Sequence, residues 1–191
     1  MSYNLKKLID ILTILAKNNQ DLTKLRINKF LYFIDKFHLQ KYGRDVSCDI
    51  YKRLPKGPIA DNTTNLLKSF ENNLKYGFTN DNIKELSKYF NLKKINNEYK
   101  LILRKKSSLN SLSLSEREII KDVIRKYGKK STEDLIAISH KDKAWKLNKP
   151  SSIIDKKMLL EGLSDKDKEF ILGLMEIDSQ SQRVSQALTK C

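Results

Sequence analysis

The first forty residues carry a helical repeat of apolar side chains that leaves few folds open to this chain. Residues 4–17 place apolar side chains three and four positions apart, at Leu5, Leu8, Ile9, Leu12, Leu15 and Ala16. A second helix is predicted from about Thr23 to Tyr42, with one apolar face formed by Ile27, Phe30, Leu31, Ile34, Phe37 and His38. Gly43 stands where this helix should end, because glycine readily adopts the left-handed C-terminal conformation. The two segments together predict a helical hairpin.

Further helices are predicted where a capping residue precedes an apolar period. Asp61 or Asn62 can cap a third helix through about Tyr76, with a buried face formed by Leu67, Phe70 and Leu74. Capping boxes beginning at Ser115 and Ser131 predict two more helices. Ser164 can cap a last helix bearing Phe170, Ile171, Leu174 and Met175.

Two short regions predict strands. Val46, Cys48 and Ile50 alternate with polar residues as in a short strand, and residues 55–58 predict an irregular loop that continues neither strand nor helix. Residues 91–104 predict a β-hairpin, because the Asn96–Asn97 pair tolerates the positive φ of a tight turn. The expected class is mainly α, at the helical edge of α+β: a compact helical domain with a small antiparallel β element.

The chain length suits a single domain. With 191 residues, the sequence can build one hydrophobic core and is short for two. We predict one domain over residues 1–178, with a serine-rich linker near 107–113, and a polar, mobile tail over 179–191 that lacks an apolar period.

The formal charge of +15 raises the question of nucleic-acid binding. Only seven of the 38 basic residues are arginine, the residue best suited to reading bases and phosphates. Abundant Lys, Asn and Ile fit an AT-rich genome equally well. The densest basic stretch is 84–106, and its candidate patch consists of Lys93, Lys94, Lys105 and Lys106. A solvated basic face is the preferred interpretation, and nucleic-acid binding is the alternative.

The sequence offers little for catalysis, a metal or a cofactor. It contains no CxxC, HExxH, Gly-rich phosphate loop or dinucleotide fingerprint. An enzyme would require His38, Cys48 and His140 to converge, and we therefore expect a non-enzymatic protein with no cofactor or metal. The two cysteines, Cys48 and Cys191, form no disulfide framework, and no apolar run approaches the length of a membrane span. We expect a cytoplasmic protein without a membrane partner.

Two sequence blocks resemble the Panacea-domain family of SocA-like antitoxins and phage-associated GepA-like proteins. The first block consists of KFLYFIDKFHLQKYGRDV at 29–46 and IYKRLPKGPIADN at 50–62. The second is LSEREIIKDVIRKYGKKSTEDLIAISHKDKAW at 114–145. The blocks occur in the order of the family pattern and cover most of residues 5–150.

This resemblance implies an antitoxin that binds and neutralises a cognate toxin, or an adaptor that presents the toxin to a cellular protease. It assigns family-signature or partner-binding positions to Lys29, Tyr32, His38, Tyr42, Gly43, Gly57, Pro58, His140 and Trp145. The excess positive charge lies ahead of residue 164, on the body of the predicted domain. Such a charge would steer an acidic protein partner to this body. The alternative function is a nucleic-acid-binding accessory protein of a phage or mobile element.

Overall fold

The computed structural model of the chain describes residues 4–19, 21–72 and 76–188. Its helices are α1 (Leu5–Asn18), α2 (Lys24–Tyr42), α3 (Asp61–Asn72), α4 (Asn80–Ser87), α5 (Leu114–Tyr127), α6 (Thr132–His140), α7 (Lys143–Lys146), a 3₁₀ helix (Lys156–Leu160) and α8 (Asp165–Leu188). Its strands are β1 (Tyr51–Leu54), β2 (Gly57–Ala60), β3 (Phe90–Ile95) and β4 (Glu98–Leu103). The predicted class, mainly helical with a small antiparallel β element, is confirmed. The predicted positions Leu74 and Cys191 lie outside the described residues.

Helix α2 is the central element of the fold. It packs against β2, α5, α6, the 3₁₀ helix and α8, and it is buried on nearly all sides over its first three turns. The predicted helix is confirmed: the Thr23 hydroxyl accepts from the Arg26 N–H, and Gly43 ends the helix at a φ of 70°. Because a helix with neighbours all round must also bury its polar positions, α2 brings several polar side chains into the interior.

The first hairpin corrects two predictions. Residues 46–50 form no strand, because Val46 and Ser47 donate their N–H groups to the Asp35 carboxylate rather than to a strand partner. Residues 55–58 are not an irregular loop either: a two-residue turn joins β1 to β2, and Pro58 pairs with Arg53 in the antiparallel register. Within the described residues β2 pairs only with β1 and is therefore an edge strand, where the missing N–H of a proline is tolerated.

Two of the predicted helix caps are also wrong, and two are right. Helix α3 begins at Asp61, but Asp49 supplies the cap by accepting from the Asn62 and Thr63 N–H groups, both at 2.9 Å. Helix α5 is capped two residues earlier than predicted, by a capping box of Ser113 and Glu116. The predicted caps of α6 and α8 are confirmed, since Ser131 and Ser164 accept from N–H groups three residues ahead.

The second hairpin, β3–β4, is confirmed close to its predicted bounds. Asn96 and Asn97 have φ values of 49° and 64°, and Ile95 pairs with Glu98 across the turn. The hairpin docks on the residues before α2, since the Leu101 N–H donates to the Leu22 carbonyl at 2.9 Å. Helix α4, which precedes β3, was not predicted.

The C-terminal segment is helical where a polar tail was predicted. Helix α8 continues to Leu188, and its predicted mobility stays a prediction. It crosses α2 at Gly43, where a Cβ would lie 2.5 Å from the Leu174 Cβ. Among the described residues, no helix combines the length and apolarity needed to cross a membrane.

Candidate functional site

The signature residues separate into two groups along α2. The first group, here called the hairpin cluster, lies around β1–β2 and consists of Lys29, Gly57, Pro58, His140 and Trp145. The second group lies at the C-terminal end of α2 and consists of His38, Tyr42 and Gly43. Tyr32 lies between the groups along the helix.

Polar side chains of α2 hold strand β2 from inside. Lys29 is fully buried, and its Nζ donates to the Pro58 carbonyl at 3.0 Å. Asn28 Oδ1 accepts from the Ala60 N–H at 2.7 Å. Gly57 makes this close packing possible, since a Cβ there would lie 2.6 Å from the Ser139 hydroxyl oxygen and closer still to Lys29 Nζ. Burial lowers the pKa of Lys29 to about 7, because the ammonium loses its hydration.

The buried Lys29 amine predicts a pH dependence of stability. Its pKa is about 7 when folded and 10.5 when unfolded, so the unfolded chain binds more protons between these values. The cost of burying the charge is fully present below the folded pKa and is relieved as pH rises above it. Relative to Lys29→Met, we expect the natural chain to gain roughly 2 kcal/mol of unfolding free energy from about pH 7 to about pH 9, measured by urea denaturation. Parallel pH profiles would contradict this expectation.

Trp145 anchors α7 to the first hairpin. Its Nε1–H donates to the Leu54 carbonyl at 3.0 Å, and the Arg53 Nε–H donates to the Trp145 carbonyl at 2.9 Å. The Arg53 guanidinium lies 4.5 Å from the centre of the indole ring, and the His140 ring stacks on the indole at 3.8 Å. Burial and the nearby charges of Lys29 and Arg53 lower the pKa of His140, which favours the neutral ring.

The Asp142 carboxylate is joined to α2 by one hydrogen bond and one ion pair. Its carboxylate accepts from the buried Tyr32 hydroxyl at 2.9 Å and pairs with Lys36 at 2.7 Å. These contacts give the predicted position Tyr32 a structural role. They also orient Asp142 toward α2, so no hydrogen bond pairs it with His140 among the described residues.

A fully buried acid of α2, Asp35, was missed by sequence reasoning. Its Oδ1 accepts the Val46 and Ser47 N–H groups at 2.9 and 2.8 Å, and its Oδ2 accepts the Tyr51 hydroxyl at 2.6 Å and the Ser47 hydroxyl. Burial raises the pKa of Asp35, and the charge of Asp45 raises it further. The sequence did contain a signal for this residue, because Asp35 is a carboxylate within the most apolar part of α2. This network positions the chain that leads into β1.

The second group of signature residues, at the C-terminal end of α2, makes contacts that join elements of the fold. His38 is fully buried, with Nδ1 2.7 Å from the Arg44 carbonyl oxygen and Nε2 3.3 Å from the Ser115 hydroxyl. Its ring lies 4.7 Å from that of Tyr42. Burial lowers the pKa of His38, so a neutral ring bridges the end of α2 to the start of α5.

Cys48 lies in a bend rather than on the predicted strand. It is partly buried and has a φ of 56°. Burial, with the charges of Asp45 and Asp35, raises the pKa of its thiol to about 11. A thiol with this pKa is a poor nucleophile near neutral pH. Within the described ranges, no hydrogen bond connects Cys48 with either histidine.

Next to the hairpin cluster, two adjoining grooves of about 370 and 660 Å³ form one cleft. The grooves share Thr23, Leu25, Lys56 and Glu98. Lys56, at the exposed tip of β1–β2, stands between them. The other charged lining residues are Asp21, Lys24, Arg26, Glu71, Lys129, Lys130 and Glu133. The cleft is therefore lined by both basic and acidic groups.

The predicted basic patch lies on and after the second hairpin, and none of its four lysines lines the cleft. Lys93, Lys94, Lys105 and Lys106 are all exposed. Lys93 faces Lys100 across the hairpin, and Lys100 is paired with Asp21. Lys94 lies 6.0 Å from the Tyr99 ring. The four lysines of the patch are therefore exposed, and the charge compensated by Asp21 is that of the neighbouring Lys100.

The described part of the chain contains no group of three or more His, Cys, Asp or Glu residues arranged to hold a metal ion. What it does contain is a helical body that supports a hairpin and an adjoining cleft lined by charged side chains. A family model described as antitoxin SocA-like, Panacea domain, matches residues 27–146.

The chain therefore belongs to the SocA-like antitoxin family and carries its Panacea domain. The match runs from the first turn of α2 to the end of α7 and contains all nine signature residues. It confirms the family expected from the sequence blocks and supports an antitoxin-like role. Comparisons with curated proteins and with solved structures found no match.

Proposed function

We propose that this protein is a non-enzymatic antitoxin that acts in the cytoplasm by binding and neutralising a cognate toxin. The main support is the match of its Panacea domain to the SocA-like antitoxin family over residues 27–146. The site adds a plausible binding surface: the exposed tip of β1–β2 borders a cleft of mixed charge.

The toxin is proposed to bind across the hairpin tip and the cleft. The tip residues Pro55 and Lys56 are exposed, whereas the strands behind them are held by Lys29, Arg53 and Trp145. A binding loop held in one conformation loses little entropy when a partner docks. The arrangement therefore suits recognition by a preformed surface.

The charge of the chain indicates the chemistry of the partner. The formal charge is +15, and Lys56, Lys129 and Lys130 are exposed around the cleft. Opposite charge raises the rate of encounter between proteins, and salt reduces this effect. We propose an acidic toxin surface opposite the cleft.

Reversing the charge at Lys56 tests this surface. With the product of the adjacent reading frame as the partner, Lys56→Glu should weaken binding at least about tenfold and impair rescue of growth on co-expression. Lys121→Glu is the matched control, because Lys121 is an exposed lysine on α5 that does not line the cleft. Equal affinities for the two variants would place the toxin elsewhere. Absence of binding and rescue by the natural chain would contradict the proposed function.

A protease-adaptor role is a finer form of the same proposal. An adaptor would hold the toxin and shorten its lifetime in the cell, whereas a simple neutraliser would leave that lifetime unchanged or longer. Toxin half-life after co-expression, with and without the antitoxin, distinguishes the two.

Nucleic-acid binding is the second candidate, favoured by the four exposed lysines of the basic patch. Gel-shift titrations with duplex DNA at physiological salt address it directly. Binding that weakens when Lys93, Lys94, Lys105 and Lys106 are replaced by glutamine would support this candidate, and unaltered or absent binding would remove it.

A further inference from the structure

Helix α8 lies outside the matched domain and presents two different faces. On the inner face, Ile171 is buried and Leu174 packs against Gly43. On the outer face, Phe170, Ile177 and Val184 are 64%, 61% and 59% exposed. These three residues are seven positions apart, so they form one apolar stripe along the helix.

The outer face carries a heptad repeat in which all three a positions are apolar. Counting the apolar stripe as position a, position d is occupied by Gly173, Gln180 and Ala187, and position g by Glu169, Glu176 and Arg183. All nine residues are exposed. The side chain is large at every a position and small at two of the three d positions. The large residues of one helix can therefore pack against the small residues of a second, antiparallel copy.

We propose that α8 pairs with α8 of a second copy of this chain in an antiparallel two-helix interface. In antiparallel pairing, position a of one helix faces position d of the other. The register that sets Ile177 against Gln180 of the second copy also sets Phe170 against Ala187 and Val184 against Gly173. Each large terminal a residue then meets a small one.

The surface around Gly173 fits this pairing. A groove of about 390 Å³ lies along the stripe and is lined by Phe170, Gly173, Leu174, Ile177, Lys166 and Glu169. A Cβ at Gly173 would meet no heavy atom of the described residues within 4 Å, so none of them fills this space. Val184 of the second copy fills it in the antiparallel register. Parallel pairing would instead place Gly173 opposite Gly173 and leave a gap.

Charge complementarity selects the same register. With Ile177 against Gln180 of the second copy, Glu176 lies beside Arg183 of the second copy. The two-fold symmetry of such a dimer repeats this pair. The interface therefore contains two Glu176–Arg183 ion pairs and no like-charge pair between these residues. The apolar stripe and its charged border are therefore both self-complementary.

Sedimentation equilibrium over a concentration series tests the dimer. The natural chain is expected to shift from 22.3 kDa toward twice that mass as its concentration increases. Glu176→Arg and Arg183→Glu should each weaken association about tenfold or more, since each creates two like-charge pairs. The double variant Glu176→Arg/Arg183→Glu should recover association, because it restores both pairs with reversed polarity.

Matched controls separate the seam from general surface effects. Ile177→Asp should abolish association, whereas Leu114→Asp, at an exposed leucine on α5, should leave it unchanged. Glu118→Arg repeats the charge reversal on an exposed residue of α5 and should also have no effect. Circular dichroism verifies that each variant is folded. A natural chain that stays at 22.3 kDa, or a double variant no better than the single ones, would overturn the antiparallel dimer.

Discussion

Replacing Gly57 with alanine is expected to lower the free energy of unfolding by about 2–4 kcal/mol. Two costs combine. Gly57 has a φ of 95°, a conformation that L-residues rarely adopt, and the added Cβ would press on Lys29 Nζ and the Ser139 hydroxyl. Both neighbours are fully buried, so neither can move aside without disturbing the core. Urea denaturation of the natural chain and Gly57→Ala measures the loss.

Gly162→Ala isolates the backbone part of that loss. Gly162 has a φ of 91°, close to that of Gly57, but a Cβ there would meet no heavy atom within 4 Å. This control should therefore lose only about 1 kcal/mol. Losses of equal size in the two variants would show that the contact with Lys29 and Ser139 contributes nothing.

Asp35→Ala is expected to destabilise the protein by on the order of 4 kcal/mol. The variant removes the acceptor of two backbone N–H groups, from Val46 and Ser47, and of the Tyr51 hydroxyl. These donors are buried, and each one left without an acceptor costs about 1–3 kcal/mol. Thermal and urea unfolding provide the measurement.

Two further variants show which part of the Asp35 network carries the effect. Tyr51→Phe removes one donor and keeps the carboxylate, so it should cost about 1 kcal/mol. Asp35→Asn retains an oxygen acceptor for the two backbone N–H groups and should fall between Tyr51→Phe and Asp35→Ala. An Asp35→Ala loss no larger than that of Tyr51→Phe would mean that the loop N–H groups find other acceptors.

Both predictions concern the support of the proposed binding surface. Asp35 orders the chain that enters β1, and Gly57 lets β2 close on Lys29. A loss of toxin binding in these variants would therefore accompany a loss of stability. In Lys56→Glu, by contrast, the exposed position should leave stability nearly unchanged, which separates recognition from support.

Elements governed by local interactions were predicted well from the sequence. The apolar periods of α1 and α2 gave their helices, Gly43 gave the end of α2, and the Asn96–Asn97 pair gave the turn of β3–β4. Such features depend on residues within a few positions of one another. The first family block contains two of these local patterns, the apolar period of α2 and Gly43, and lies within the match over residues 27–146.

Errors arose where a distant residue supplied a hydrogen-bond partner. Asp49 caps α3 across 13 and 14 positions, and Asp35 captures the N–H groups that a strand over 46–50 would have needed. The helical conformation of residues 179–188 was not predicted for another reason: the outer apolar residues of α8 are too widely spaced to signal a core-facing helix. A heptad count along that face shows the pattern.

The sequence by itself determined the helical class, both ends of α2, the caps of α6 and α8, the second hairpin and the family of this protein. Only the tertiary structure decided that Lys29 is buried beneath Gly57, that Trp145 joins α7 to β1–β2, and that the hairpin borders the cleft. The physical reason is the range of the interactions. Helical periods and caps act within one or two turns, whereas the contacts of Lys29 with Gly57 and of Trp145 with Leu54 join residues 28 and 91 positions apart and form only when the whole core closes.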